Sequence, residues 1–307
     1  MCLRNNFAKV FIGLGIIGVQ FGVNGDDNTQ IRLYQASMHE ASWSVDASVF
    51  ECRLTQIIPQ LGEANFYHRA GEQLQFRLDT FDRILESDSL SLSSVPPPWN
   101  FNSAEKDFGL LGLPKDNNIQ LEEAEANLLM AEMLTGMMPR IVGKSAYSNF
   151  DSVAVTLSPL RFQVAYESYQ NCSDGLLPAN YAQLNRSTIF WSSGAKSLSV
   201  KSMQLLDSIA LYSRADDSII GFEIDSFTDT AGERRDNLLV SEERAFLVTN
   251  YLIKKGIDPE TIATRAHGER EEYLIVSPEK TQADRNRNRN RRVNIVMLQR
   301  SGLITVK

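Results

Sequence analysis

The chain reads as α+β in two domains: a β-rich front half with one main helix, then an α/β sandwich with helices on a mixed sheet. Three observations predict this. From Trp43 to Leu78, short runs such as Val49-Phe50-Glu51-Cys52-Arg53-Leu54 and Leu74-Gln75-Phe76-Arg77-Leu78 alternate apolar with polar residues between turn residues, the period of half-buried strands. One long helical stretch, Leu121 to Thr135, interrupts that half, with acidic residues at its start and Gly136 and Pro139 at its end. Beyond residue 185, strand-like and helix-like stretches take turns.

Residues 1–25 stand apart. Arg4 and Lys9 precede the uncharged run Val10 to Val19, and Gly22-Val23-Asn24-Gly25 leads into Asp26-Asp27. That layout is a secretory signal peptide, too short to span a bilayer comfortably, with an uncleaved N-terminal anchor as the alternative. Export to the periplasm is therefore expected. Removing the signal leaves Cys52 and Cys172, an even pair in an oxidising compartment, and they are predicted to be bonded; the alternative is two buried thiols. With 43% hydrophobic and 22% charged residues among 307, the chain is a folded, soluble type. A net charge of −7 argues against general nucleic-acid binding.

The front domain is expected over residues 26–178. Residues 26–40 read as a flexible polar lead-in. Ala64 to Tyr67 is another strand, while Pro96-Pro97-Pro98-Trp99 reads as a rigid crossing loop. In the helix Leu121–Thr135, Leu121, Ala124, Leu128 and Ala131 are expected to form the buried face, and Met130, Met133, Met137 and Met138 to fill core. Val153 to Leu157 and Arg161 to Tyr166 read as closing strands, and Asn171 to Asn185 as the junction.

The back domain is expected over residues 179–307. Thr188 to Trp191 is a strand, and Leu198, Leu205, Ile209 and Tyr212 mark a helix. Ile220, Phe222 and Ile224 alternate with Gly221, Glu223 and Asp225 in the central strand. A charged loop follows, then a helix read from Ser241 to the glycine stop at Gly256. Arg244 then falls in the first turn, where a cation opposes the helix dipole and calls for Glu242, Glu243 or an incoming anion. Asp258-Pro259-Glu260 starts a short helix, and Val293 to Leu298 is the last strand.

Thr228-Asp229, Asn237, Ser241 and Arg244-Ala245, followed by Ala266-His267-Gly268-Glu269, Arg287 and Asn290-Arg291-Arg292-Val293, resemble the OmpA-like peptidoglycan-binding family over about residues 185–298. Ser226 and Ala266 stand where that family favours glycine. The resemblance implies that Asp229 and Arg244 grip the diaminopimelate of the stem peptide, with Thr228, Asn237, Arg287 and Arg291 in the same site. The chemistry fits. The free end of diaminopimelate is a zwitterion, so a carboxylate takes its ammonium and a guanidinium fork its carboxylate.

Phe50 to Gln56 with Pro59, Phe66 to Glu72 and Gly136-Met137-Met138-Pro139 resemble the N-terminal domain of the MotY family of sodium-driven flagellar motor proteins. That resemblance implies a ring around the basal body, a MotX-like ring partner and recruited stator units. A general wall-tethering protein not tied to the flagellum is the alternative.

No catalytic set is visible. His39, His68 and His267 have no ligand spacing, so neither a metal nor a cofactor is expected. Asp229 and Glu233 make a poor glycosidase pair, since a solvated loop gives neither a reason for a raised pKa. The basic run Arg285 to Arg292 would suit RNA, but the acidic total and export signal favour a wall-facing role or internal ion pairs.

Overall fold

A computed structural model describes residues 30–300 apart from 101, 112–118, 148–150, 271–273 and 276–282. The expected signal segment, residues 1–25, lies outside the described residues.

The front half is built from β1 (Ile31–Gln35), β2 (Trp43–Ala47), β3 (Glu51–Ile58), β4 (Gly62–Arg69), β5 (Gln75–Thr80), β6 (Leu85–Val95), β7 (Lys106–Leu111), β8 (Ile119–Leu121), α1 (Glu123–Leu134), β9 (Met138–Ser145), β10 (Ser152–Thr156) and α2 (Phe162–Asp174). The strands form two five-stranded sheets, ordered β1-β10-β9-β6-β7 and β2-β3-β4-β5-β8. Leu54, Phe66, Phe76 and Phe162 are fully buried in a core shared by both sheets and both helices. Each such side chain contributes roughly 1.5–3 kcal/mol by leaving water. Buried polar groups there are satisfied across long sequence distances. Gln56 accepts from the Ser158 N–H at 3.0 Å and donates to its carbonyl at 3.1 Å, and the Trp43 indole donates to the same carbonyl at 2.8 Å.

Cys52 and Cys172 are bonded, 6.0 Å apart at Cα, and staple the end of α2 to β3. At a sequence separation of 120, the bond contributes roughly 4–5 kcal/mol on the chain-entropy model.

Three expectations for this half are corrected. The lead-in carries β1, which pairs in parallel with β10 and puts Leu33 opposite Ala154. Arg161 to Tyr166 is the start of a helix, not a strand. Phe162, Ala165 and Tyr169 are its buried stripe while Val164 is 72% exposed, so the apparent alternation was one face of a 3.6-residue period. The buried face of α1 is Ala126, Leu129, Met130 and Met133; of the expected set, Leu121 is buried but lies on β8, Leu128 is half-buried against the shared core, and Ala124 and Ala131 are exposed. Met130, Met133, Met137 and Met138 are all buried.

The back half runs α3 (Tyr181–Leu184), β11 (Arg186–Phe190), α4 (Val200–Ala215), β12 (Ile219–Phe227), α5 (Arg234–Lys254), a 3-10 turn (Pro259–Thr261), β13 (Ile262–Gly268), α6 (Ala283–Asn290) and β14 (Arg292–Gln299). Its sheet is mixed, ordered β11-β14-β12-β13: β14 is antiparallel to β11 and β12, and β13 is parallel to β12. Phe222 and Ile224 of β12, Val293 and Ile295 of β14 and Val248 and Leu252 of α5 form its core. Ser199 caps α4 and Asp258 caps the 3-10 turn, each accepting a backbone N–H.

The halves touch at a close junction. Asn180 donates to the Ala70 carbonyl at 3.1 Å and Gln183 to the Gly71 carbonyl at 2.9 Å. Gly71 sits at φ +70° with room for no side chain, since a Cβ there would lie 2.7 Å from the Cα of Ala179. The rings of Phe50 and Tyr212 meet at 5.3 Å across the same seam.

Candidate functional site

β12 ends at Phe227, and the chain leaves the sheet at Thr228-Asp229 with the Thr228 N–H held by the Gly268 carbonyl at 2.8 Å. That bond joins the loop to the end of β13. Ser241, one turn before Arg244 on α5, accepts from the Gly268 N–H at 3.0 Å, so strand end, loop and helix are fixed together. Asn237 on the same helix is buried and donates to Glu269 at 2.5 Å.

This frame closes a cavity of about 270 Å³. Trp191, Thr228, Asp229, Asn237, Arg244 and Arg291 line it, with Lys196 and Glu243 also on its wall. Asp229 is paired, but with Arg291: Nη1 donates to Oδ2 at 2.6 Å. Arg291 is itself fixed by the Trp191 carbonyl at 3.2 Å and by Asn288. Arg244 is different. It is 6% exposed, its guanidinium carbon lies 5.2 Å from the Trp191 ring, and its Nε and Nη1 are buried without a partner. Trp191 Nε1 and Thr228 Oγ1, on the same wall, are also buried and unpartnered.

Burial, and next the neighbouring Arg291, lower the pKa of Arg244 from its ordinary value, against the pull of Asp229 and Glu243. A guanidinium stays charged even so. A buried cation with idle donors is unfavourable by at least 1–3 kcal/mol for each lost hydrogen bond (about that range for neutral groups, more for charged ones), so an anion entering this cavity gains strongly. The expected first-turn placement of Arg244 is corrected: α5 begins at Arg234, ten residues earlier, so no free helix-start N–H lies beside it. What marks Arg244 is burial beside Trp191, not a place at the helix start.

The front of the chain matches the model for the MotY N-terminal domain over residues 34–178, and the back matches that of the OmpA family over residues 190–289. The chain joins a MotY N-terminal domain to an OmpA-family domain. It is 24% identical to the sodium-type flagellar protein MotY of Vibrio parahaemolyticus, over 78% of this chain and 83% of that protein. It is 35% identical to outer membrane protein A of Bordetella avium, over 35% of this chain and 53% of that one. Among solved structures, the peptidoglycan-associated lipoprotein of Burkholderia pseudomallei aligns at 20% identity and a TM-score of 0.32, covering 36% of this chain and 89% of that one.

Of the residues singled out in the OmpA-family domain, Thr228, Asp229, Asn237, Arg244 and Arg291 line one cavity. Arg287 is exposed on α6 and is not part of that wall. Sequence reasoning missed Trp191, which was read only as the end of a strand. A tryptophan just past an edge strand was the available signal, but nothing local says which loop it will face. Glu233, the other half of the glycosidase pair considered from sequence, is exposed at the start of α5 and does not line the cavity.

Proposed function

We propose that this chain is a non-enzymatic envelope anchor of the flagellar motor. Its back domain, residues 179–307, holds peptidoglycan by the diaminopimelate tip of a stem peptide, and its front domain, residues 26–178, associates with the motor. One observation carries the binding half of this reading: the buried, unpartnered Arg244 guanidinium lies in the same small cavity as the Asp229 carboxylate. A zwitterion entering there meets a cation for its carboxylate and an acid for its ammonium. Asp229 has one oxygen held by Arg291, which leaves the other for the ammonium. The motor half is supported by the match of the front domain and by the Vibrio relative, a flagellar protein by name.

In this reading residues 1–25 direct export and are removed, and the mature protein works in the periplasm at the basal body. It forms a ring there with a MotX-like partner and helps hold stator units in place. The binding test is a pull-down with purified sacculi: wild type should sediment, while Asp229→Ala and Arg244→Ala should stay in the supernatant. Undiminished binding by both variants discards the site. Deleting the gene should reduce swimming with cell shape unchanged; a shape or envelope defect with normal swimming would favour a general wall tether instead.

A further inference from the structure

A second cavity of about 510 Å³ adjoins the first and shares Trp191, Ser193 and Arg291 with it. Its other walls are Phe190, Asn288 and Arg289, together with Ser192. Phe190 projects from the edge strand β11 at 58% exposure, an aromatic face with no covering element among the described residues. Arg289 stands on α6, exposed, and takes part in no ion pair among the described residues. Trp191 divides the two spaces and holds a buried indole N–H without an acceptor.

The charge count around both cavities is unbalanced. Among the described residues that line the two cavities, Lys196, Arg244, Arg289 and Arg291 are cationic and Asp229 and Glu243 are anionic. This surplus of cations sits in a chain whose net charge is −7, so it is local and not a general property of the surface. A diaminopimelate tip is a neutral zwitterion and leaves that surplus unused. The unit next to it in a stem peptide, a γ-linked glutamate, carries a free carboxylate of its own.

We infer that the Phe190–Arg289 groove is a second subsite, taking the carboxylate of the glutamate that precedes the diamino acid, so that the domain prefers unamidated stems. This rests on the peptidoglycan reading above and deepens it. Arg289 supplies the cation and Phe190 packs against the methylene chain of the same unit. Because the groove is open to solvent, the contact is screened and modest, and it weakens as salt rises.

The test is calorimetric titration of the full mature chain with two synthetic tripeptides, L-alanyl-γ-D-glutamyl-meso-diaminopimelate and the same peptide with the glutamate carboxylate amidated. Wild type should bind the amidated peptide about two- to fivefold more weakly, the range for an exposed charged pair. Arg289→Gln should bind both alike, at the level of the amidated peptide with wild type, and Arg244→Gln should bind neither. An unchanged melting temperature for Arg289→Gln shows that the fold is intact. Equal binding of the two peptides by wild type overturns the second subsite and leaves the anchoring reading standing. Discrimination that persists in Arg289→Gln overturns it as well, since the carboxylate is then read elsewhere. If wild type binds neither peptide, the anchoring reading fails and takes the second subsite with it.

Discussion

Two aspartates four residues apart, Asp225 on β12 and Asp229 just beyond it, gather the same ingredients and reach opposite outcomes. Asp225 receives Arg265 through two bonds, at 2.8 and 3.0 Å, and His267 at 2.7 Å. His267 stacks on Phe227 with ring centres 4.8 Å apart. Asp229 also has an arginine and an aromatic wall, but Arg291 takes its Oδ2 while Arg244 is left with buried donors idle. In the first cluster both carboxylate oxygens are engaged, and Arg265 reaches Glu223 as well, so the group serves the fold. The second carries an unspent charge, and an unspent charge in a cavity is what a ligand can complete. Counting partners, more than counting charges, separates the two.

That contrast can be broken by substitution. The largest expected effect is on binding: Arg244→Ala should weaken sacculus association by on the order of 2–5 kcal/mol, because one side of a desolvated charged contact is removed. Its thermal stability should hold or rise, since the change deletes a buried cation whose Nε and Nη1 donors no protein group accepts. A fall in melting temperature beyond that of an ordinary surface mutant would mean that Arg244 is structural. Asp225→Ala should do the reverse. It strands Arg265 and His267 and should cost about 1–2 kcal/mol in denaturant unfolding, an estimate kept low because Arg265 is half exposed, with wall binding untouched.

Ser241→Ala removes the acceptor of the Gly268 N–H and should cost about 1 kcal/mol, with a smaller loss of binding as the Asp229 loop loosens. The smallest effect is in pH. Burial alone would raise the Asp225 carboxyl, but the hydrogen bonds from Arg265 and His267 outweigh it and hold its pKa below the ordinary carboxylate value. The unfolded chain therefore binds the proton more readily, so this contribution is complete above the unfolded value near pH 4 (about 3.9 for a free aspartate) and fades as pH falls through the lower folded value. Unfolding midpoints of wild type and Asp225→Asn should converge as the pH is lowered below about 4; a constant gap would remove Asp225 from the ledger.

Legibility from sequence followed the range of the forces involved. The strand Ile219–Phe227 was readable because alternation is a local consequence of the pleat, although Ile220, counted with the apolar set, is half exposed near the strand's start. The short turn after Asp258 was readable from its cap and its proline. The segment after Arg161 was misread because six residues of Arg-Phe-Gln-Val-Ala-Tyr satisfy both a two-residue and a 3.6-residue period, and only packing against β2 and β3 chose between them. The start of α5 was placed too late because the charged run Arg234-Arg235-Asp236 looks like a loop; it is the solvated face of the first turn.

By itself, the order of residues determined the two-part architecture, the central strand and helix of the back half with the strands that flank them, the main helix of the front half, and the presence of an acidic and a basic residue at the spacing of the OmpA-family motif. Which arginine holds Asp229 was decided only in three dimensions, where the turn before β14 brings Arg291 to a loop 62 residues earlier in the chain. Trp191, just beyond β11, likewise lies against Arg244 across 53 positions of sequence, and the Nε and Nη1 of that guanidinium are buried without a hydrogen-bond partner. The reason is physical: backbone periodicity is set by neighbours along the chain, whereas the pairing of buried charges depends on which side chains the packed elements bring within reach of one another.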